Sequence, residues 1–189
     1  MAITPFSGTR LFLFIAFSLF FLFISRKALR NPRCHGFYRF FVFEGVLFVV
    51  LHNHPFWFVD ILSPRQLLSW LLLAASISFV IQGLLLLRKL GGSQQRKDVP
   101  ENFAFENTAA LVTTGIYRYV RHPMYSSLLL LTWGALLKHI TLMSLGVAVL
   151  TSISMYLTGL IEEKENQKFF GPSYTEYQKR TKMFLPFIV

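Results

Sequence analysis

Residues Gly115 to Ser127 read GIYRYVRHPMYSS, and the leucine run Leu128 to Leu131 follows directly. Here a polar loop becomes a membrane helix, and the punctuation says where that helix begins. Pro123 suits the first helical position, where its missing N–H costs nothing, and it pushes His122 out of helical geometry. The backbone N–H groups of Met124, Tyr125 and Ser126 are then expected to point, unpaired, out of the helix start. Together with the helix dipole they form an anion site, with Arg118, Arg121 and His122 adding charge and donors around it. The plainer reading of the same arginines is a membrane anchor, with their heads snorkelling to lipid phosphates.

Working outward, the chain has 189 residues, 53% of them hydrophobic, 21 phenylalanines and a formal net charge of +10. That is too apolar for an ordinary soluble domain of this size. Its Lys and Arg sit in clusters between apolar runs, not along one face or in a basic tail, which favours membrane lipids over nucleic acid as the partner. The single cysteine, Cys34, rules out an internal disulfide and a Cys-rich metal site.

Five apolar segments can be drawn, at Leu11 to Ser25, Phe37 to Leu51, Gln66 to Leu87, Met124 to Leu137 and Ile140 to Ile161. The basic residues between them alternate in number. Arg26, Lys27, Arg30 and Arg33 fill the first connection, Arg88, Lys89, Arg96, Lys97, Arg118 and Arg121 the third, and Lys164, Lys168, Lys179, Arg180 and Lys182 the tail. The other side holds only Arg10, Arg65 and Lys138. This predicts an all-α, multi-pass membrane protein of about five transmembrane helices, with the N-terminus outside and the C-terminal tail cytoplasmic. Arg26, Lys27 and Arg30 follow the first run where a cleavage site would need small residues, so that run reads as a retained helix. The fourth segment, from Pro123 to Lys138, would span about 22 Å against a core of about 30 Å, which sinks the site at its start below the headgroups.

No repeat or linker divides the chain, so 1–189 is expected to be one integral-membrane domain. The short link LLKHITL around Lys138 and His139 predicts that the fourth and fifth spans pack as an antiparallel pair. The link from His52 to Arg65 carries HNHPFWF; with Asp60 the one acid nearby, it reads as an interfacial aromatic belt rather than a metal site. The third connection opens with a Gly91-Gly92 pair, read as a flexible exit from the third helix. Within the spans, Arg39 and Glu44 are expected to pair across the second helix or with a neighbour.

The fifth segment ends on Glu162 and Glu163, with Glu165 beyond. Carboxylates at a helix C-terminus oppose the dipole and want a cationic partner. Lys164 and Lys168 could serve as solvated pairs. The tight hairpin gives a second answer, because it brings the end of the fifth helix to the start of the fourth and so sets an anion site facing a carboxylate pair. Tyr174 and Tyr177, three apart on one helical face, could close over such a site or mark an amphipathic helix lying on the bilayer.

The stretch GIYRYVRHPMYSS, followed about 35 residues later by EEKENQKFFGPSYTEYQKRTKMFLPF, resembles the integral-membrane methyltransferases of the isoprenylcysteine carboxyl methyltransferase and phospholipid N-methyltransferase group. The likeness runs from about Leu111 to Phe187; residues 1–110 share only hydrophobic helices. It implies a membrane enzyme that binds S-adenosylmethionine on the cytoplasmic side, with Tyr117, Arg121, His122, Pro123, Tyr125, Glu162, Glu163, Tyr174 and Tyr177 as the cofactor shell. It also implies a lipophilic acceptor arriving through the bilayer: an isoprenylcysteine-type carboxylate, a lipid amine or a thiol. The methionine carboxylate would lie near the helix start and Arg121 or His122, with the glutamates against the ammonium and sulfonium. No residue declares itself as a base, and the sequence leaves the oligomeric state open. One departure stands out: members acting on isoprenylcysteine carboxylates carry an arginine about one turn before the glutamate pair, where this chain has Thr158. Two other readings share parts of the pattern, a small non-enzymatic transporter or assembly protein and a relative of the NADPH-dependent sterol reductases.

Overall fold

The computed structural model describes residues 7–92 and 108–186. Arg96 and Lys97, counted above among the basic residues of the third connection, lie outside them. Six α-helices are described: α1 (Gly8–Ser25), α2 (His35–Asn53), α3 (Pro64–Leu90), α4 (Pro123–Leu136), α5 (Leu142–Phe170) and α6 (Pro172–Arg180). Local chemistry sets their ends. Ser63 caps α3 ahead of Pro64, and Thr141 and Ser144 form a reciprocal capping box at the start of α5. Gly171, at φ +59°, breaks α5 from α6.

Four of these helices, α1, α2 continued to Phe56, α3 and α5, are long and apolar enough to cross a membrane. The fifth expected span, α4, has 14 residues and so rises only about 21 Å. Polar side chains from other helices explain how it can stop there. Ser69 donates to the carbonyl of Gly134 at 2.6 Å, Asn53 to that of Ala135 at 2.8 Å, and Arg65 to those of Leu137 and Lys138 at 2.6 and 2.5 Å. The last carbonyls of a helix have no partner of their own, and in hydrocarbon each would cost several kcal/mol if left bare. Next to them Lys138 is buried, bonded to Gln66 Oε1 at 3.0 Å and lying 3.4 Å from the centre of the Trp70 ring.

Helix α2 packs on α5, α3 packs on α4, and α1 lies outside against α2. The interior joins Val42, Val46, Tyr125, Met155, Met183 and Phe184, with a second cluster of Val49, Ala135, Leu136 and Ala148. Arg39 and Glu44 each find a neighbour: Arg39 reaches the His35 ring at 3.4 Å, and Glu44 accepts a hydrogen bond from Ser18 of α1 at 2.6 Å. The Gly91 carbonyl accepts from the amides of Ala109 and Ala110, so the glycine pair expected to be a loose exit is tied down.

The α2–α5 seam gives a direct packing test. A Cβ added at Gly45 would lie 1.9 Å from Thr151 Oγ1 and 3.0 Å from its Cβ. Gly45→Ala should therefore destabilise by about 1–3 kcal/mol and lower the thermal midpoint in detergent. Adding Thr151→Ala removes the Oγ1 and Cγ2 contacts and leaves the one to Cβ, so part of the loss should return. An unchanged midpoint for Gly45→Ala would contradict this packing.

Candidate functional site

The starts of α2 and α4 and the ends of α1, α3 and α5 gather at one end of the bundle, as the His35–Glu165 and Tyr117–Gly83 contacts show. Gly115, at φ +61°, opens a short 3-10 turn, Gly115–Arg118, and a Cβ there would also press to 2.6 Å from Leu86. That turn points the Tyr117 hydroxyl to the Gly83 carbonyl at 3.3 Å. The chain beyond α6 then runs back beside the approach to α4. Val120 and Lys182 form an isolated parallel bridge, and the amides of Arg121 and His122 donate to the carbonyls of Lys182 and Met183 at 2.8 and 3.1 Å. Ser126 Oγ fastens the Phe184 carbonyl at 2.5 Å.

Between these elements lies an open cleft. Of the residues singled out from sequence, Tyr117, Arg121, His122, Pro123, Tyr125, Glu162, Tyr174 and Tyr177 line it, and Glu163 does not. Tyr174 and Tyr177 face inward and are buried, so α6 covers the cleft instead of lying free on a lipid surface. The Tyr177 hydroxyl donates to the Tyr117 carbonyl at 2.6 Å, which closes α6 onto the turn before α4.

The two adjacent glutamates have separate surroundings. Glu163 takes the Arg121 Nε–H at 2.5 Å and the Gln178 amide at 2.9 Å, while Arg121 Nη1 donates to the Thr181 carbonyl at 2.5 Å. Arg121 and Glu163 are thus committed to each other and to the tail. Glu162 remains toward the cleft, 3.6 Å from His122 Nδ1, and His122 Nε2 lies 3.5 Å from Glu163. Of the two adjacent carboxylates Glu162 lines the cleft and Glu163 does not, because neighbours on a helix point about 100° apart. The amide of Ser126, expected to be open, donates to the His122 carbonyl at 2.9 Å as the first bond of α4. The first-turn amides of Met124 and Tyr125 have no carbonyl one turn back within the helix.

Electrostatics fix the state of the phenols. Burial is the first cause pushing all three upward from their ordinary value. Glu162 adds to it for Tyr117, Glu163 and Glu162 add to it for Tyr174, and Arg121 partly opposes it for Tyr177. They therefore remain protonated donors at neutral pH. Thr158 is fully buried and donates to the Ser154 carbonyl at 2.7 Å, so it offers no cation to a substrate carboxylate.

Residues 66–173, more than half the chain, match the model of the phospholipid methyltransferase family. The chain belongs to that family. Among curated proteins it is similar to the methanethiol S-methyltransferase of Pseudomonas deceptionensis, 35% identical over 71 residues that cover 38% of this chain and 26% of that protein. The corresponding protein of Crocosphaera subtropica is 33% identical over 76 residues, 40% of this chain and 29% of that one. Methanethiol S-methyltransferase 1 of Bradyrhizobium diazoefficiens is 31% identical over 71 residues, 38% and 24%. The matching stretch thus spans about a quarter of the length of these relatives. No solved structure matches the chain significantly.

In this family member the cleft also takes residues that the sequence reading passed over. Leu87, Leu111, Val112 and Met124 give it an apolar wall, and Asn166 and Phe170 extend the α5 wall beyond Glu162. A signal for the last two was present, since they follow Glu162 at intervals of four and share its helical face. Nothing local marks Leu87, Leu111 or Val112, which reach the site only through the fold.

Proposed function

We propose that this member of the phospholipid methyltransferase family is a membrane enzyme that binds S-adenosylmethionine in the cleft and methylates a small apolar thiol. The observation that carries this reading is the cleft itself, where Glu162 and His122 meet the N-terminal turn of α4 beneath two buried tyrosines. Those groups fit the cofactor. A carboxylate suits a sulfonium or ammonium, helix-start amides suit a carboxylate, and aromatic faces suit a purine. When bound, that cofactor supplies an electrophilic methyl carbon on a sulfonium.

The chain's own part is to hold, orient and keep dry. Glu162 balances the cation, the tyrosine hydroxyls stay protonated, and the wall of Leu87, Leu111, Val112 and Met124 keeps water from the reacting centre. A thiol must shed its proton as sulfur attacks, and His122, flanked by Glu162 and Glu163, is the ring placed to take it. Thr158 and the names of the matched relatives favour a thiol over a carboxylate acceptor. The family's name supports a lipid amine as the second reading. Arg26, Lys27, Arg30, Arg33, Arg88 and Lys89 belong to the same end of the bundle as the cleft, which supports a cytoplasmic mouth. The acceptor would arrive from the bilayer.

Calorimetric titration of S-adenosylmethionine and S-adenosylhomocysteine into protein in lipid discs tests the reading. Micromolar binding is expected, weakened about 30-fold in Glu162→Gln by loss of a charge-assisted contact worth about 2 kcal/mol. Methyl transfer to methanethiol should exceed transfer to an ethanolamine headgroup. Failure of folded wild-type protein to bind either compound would sink the proposal, and faster transfer to the headgroup would move it to the lipid amine.

A further inference from the structure

We infer that α5 sets the direction in which the cofactor lies, through three side chains spaced four apart: Glu162, Asn166 and Phe170. This rests on the cofactor reading above and adds two residues to it. The three lie on one face of α5, about 6 Å apart along its axis, and all line the cleft. They are half-buried, while Lys164, Gln167 and Lys168 on the rest of that turn are exposed.

Their chemistry changes in order along the cleft. At the inner end the Glu162 carboxylate lies 3.6 Å from His122. In the middle stands the Asn166 carboxamide, on the cleft wall between Glu162 and Phe170. At the outer end the Phe170 ring is stacked on Tyr174 at 6.3 Å and 19°. A ligand laid along this face meets an anion, then an amide, then a flat aromatic surface. S-adenosylmethionine offers a cationic amino-acid arm, then ribose hydroxyls, then a purine. Only one direction matches. Reversed, the purine would strip water from Glu162 without replacing it, and the cation would exchange a carboxylate for the weaker attraction of an aromatic ring. The sulfonium therefore points toward His122 and the start of α4, Asn166 reads the ribose, and Phe170 with Tyr174 holds the base at the outer mouth.

The test compares S-adenosylhomocysteine with 5′-methylthioadenosine, which keeps base and ribose and lacks the amino-acid arm. Calorimetry on the full chain in lipid discs should show Asn166→Ala and Phe170→Leu weakening both ligands by a similar factor, about 5- to 30-fold. Phe170→Tyr should restore binding. Glu162→Gln should weaken S-adenosylhomocysteine at least tenfold and change 5′-methylthioadenosine less than twofold. Thermal midpoints of all variants establish that they are folded. If Glu162→Gln weakens both ligands equally, or Phe170→Leu spares 5′-methylthioadenosine, the assigned direction is wrong although the cofactor reading stands. If wild-type protein binds neither ligand, the cofactor reading itself falls, and the assignment with it.

Discussion

Arg121→Ala is expected to destabilise the protein by about 3–5 kcal/mol, because it strands the buried Glu163 carboxylate without its cation. The side chains of Arg121 and Glu163 are each 10% exposed, so water cannot make good the loss. Three further contacts disappear with the guanidinium, those to the Thr181 and Gln178 carbonyls and to the Thr181 hydroxyl, which anchor the tail that covers the cleft. Arg121→Lys should recover little, since one ammonium cannot span a carboxylate and two carbonyls as a planar fork does. The pair Arg121→Met with Glu163→Leu should regain most of the stability, because it removes both charges rather than one. Thermal unfolding in lipid discs gives the ordering, and hydrogen exchange at Tyr177 to Thr181 reports whether α6 has come loose. A single Arg121→Ala variant that melts within about 1 kcal/mol of wild type would show that the pair is not what closes the tail.

That pair also shows where sequence reading stopped. Pro123 after His122 marked the start of α4 to the residue, and the short link through Lys138 and His139 gave the antiparallel hairpin that brings Glu162 to His122. Both are local signals, one of backbone geometry and one of chain length. The division of labour between Glu162 and Glu163 was not legible, because it depends on which side of α5 the tail returns along. The tail's return is held by backbone bonds that join Tyr119, Arg121 and His122 to Lys182 and Met183, which leave no mark in side-chain pattern. The spacing of Asn166 and Phe170 was readable once Glu162 was placed, whereas Leu87 and Leu111 join the cleft from remote parts of the chain. The shortness of α4 was visible in advance. The means of ending it, by Ser69, Asn53 and Arg65 on other helices, was not.

Of those three side chains Arg65 should matter most, and Arg65→Ala is expected to cost about 2–5 kcal/mol. It donates to two carbonyls, those of Leu137 and Lys138, at the point where α4 gives way to α5. Each carbonyl left bare in apolar surroundings costs about 1–3 kcal/mol, more where lipid replaces water. Lys138 cannot substitute, because its ammonium is bonded to Gln66 and sits over Trp70. The effect should also reach the far end of the helix. Helix α4 is a single rod of 14 residues that carries Pro123 and Tyr125 into the cleft, and Pro123 packs 3.1 Å from the place a Cβ would take at Gly83. A shift at its C-terminal end is therefore expected to raise the dissociation constant for S-adenosylhomocysteine several-fold, about 21 Å away along the axis. Arg65→Lys, which keeps one donor, should fall between. Paired melting and calorimetry on the three proteins decides the matter: a loss of stability with unchanged binding would mean that α4 is positioned by its α3 contacts near Gly83 alone, and no loss of stability would mean that its end is satisfied without Arg65.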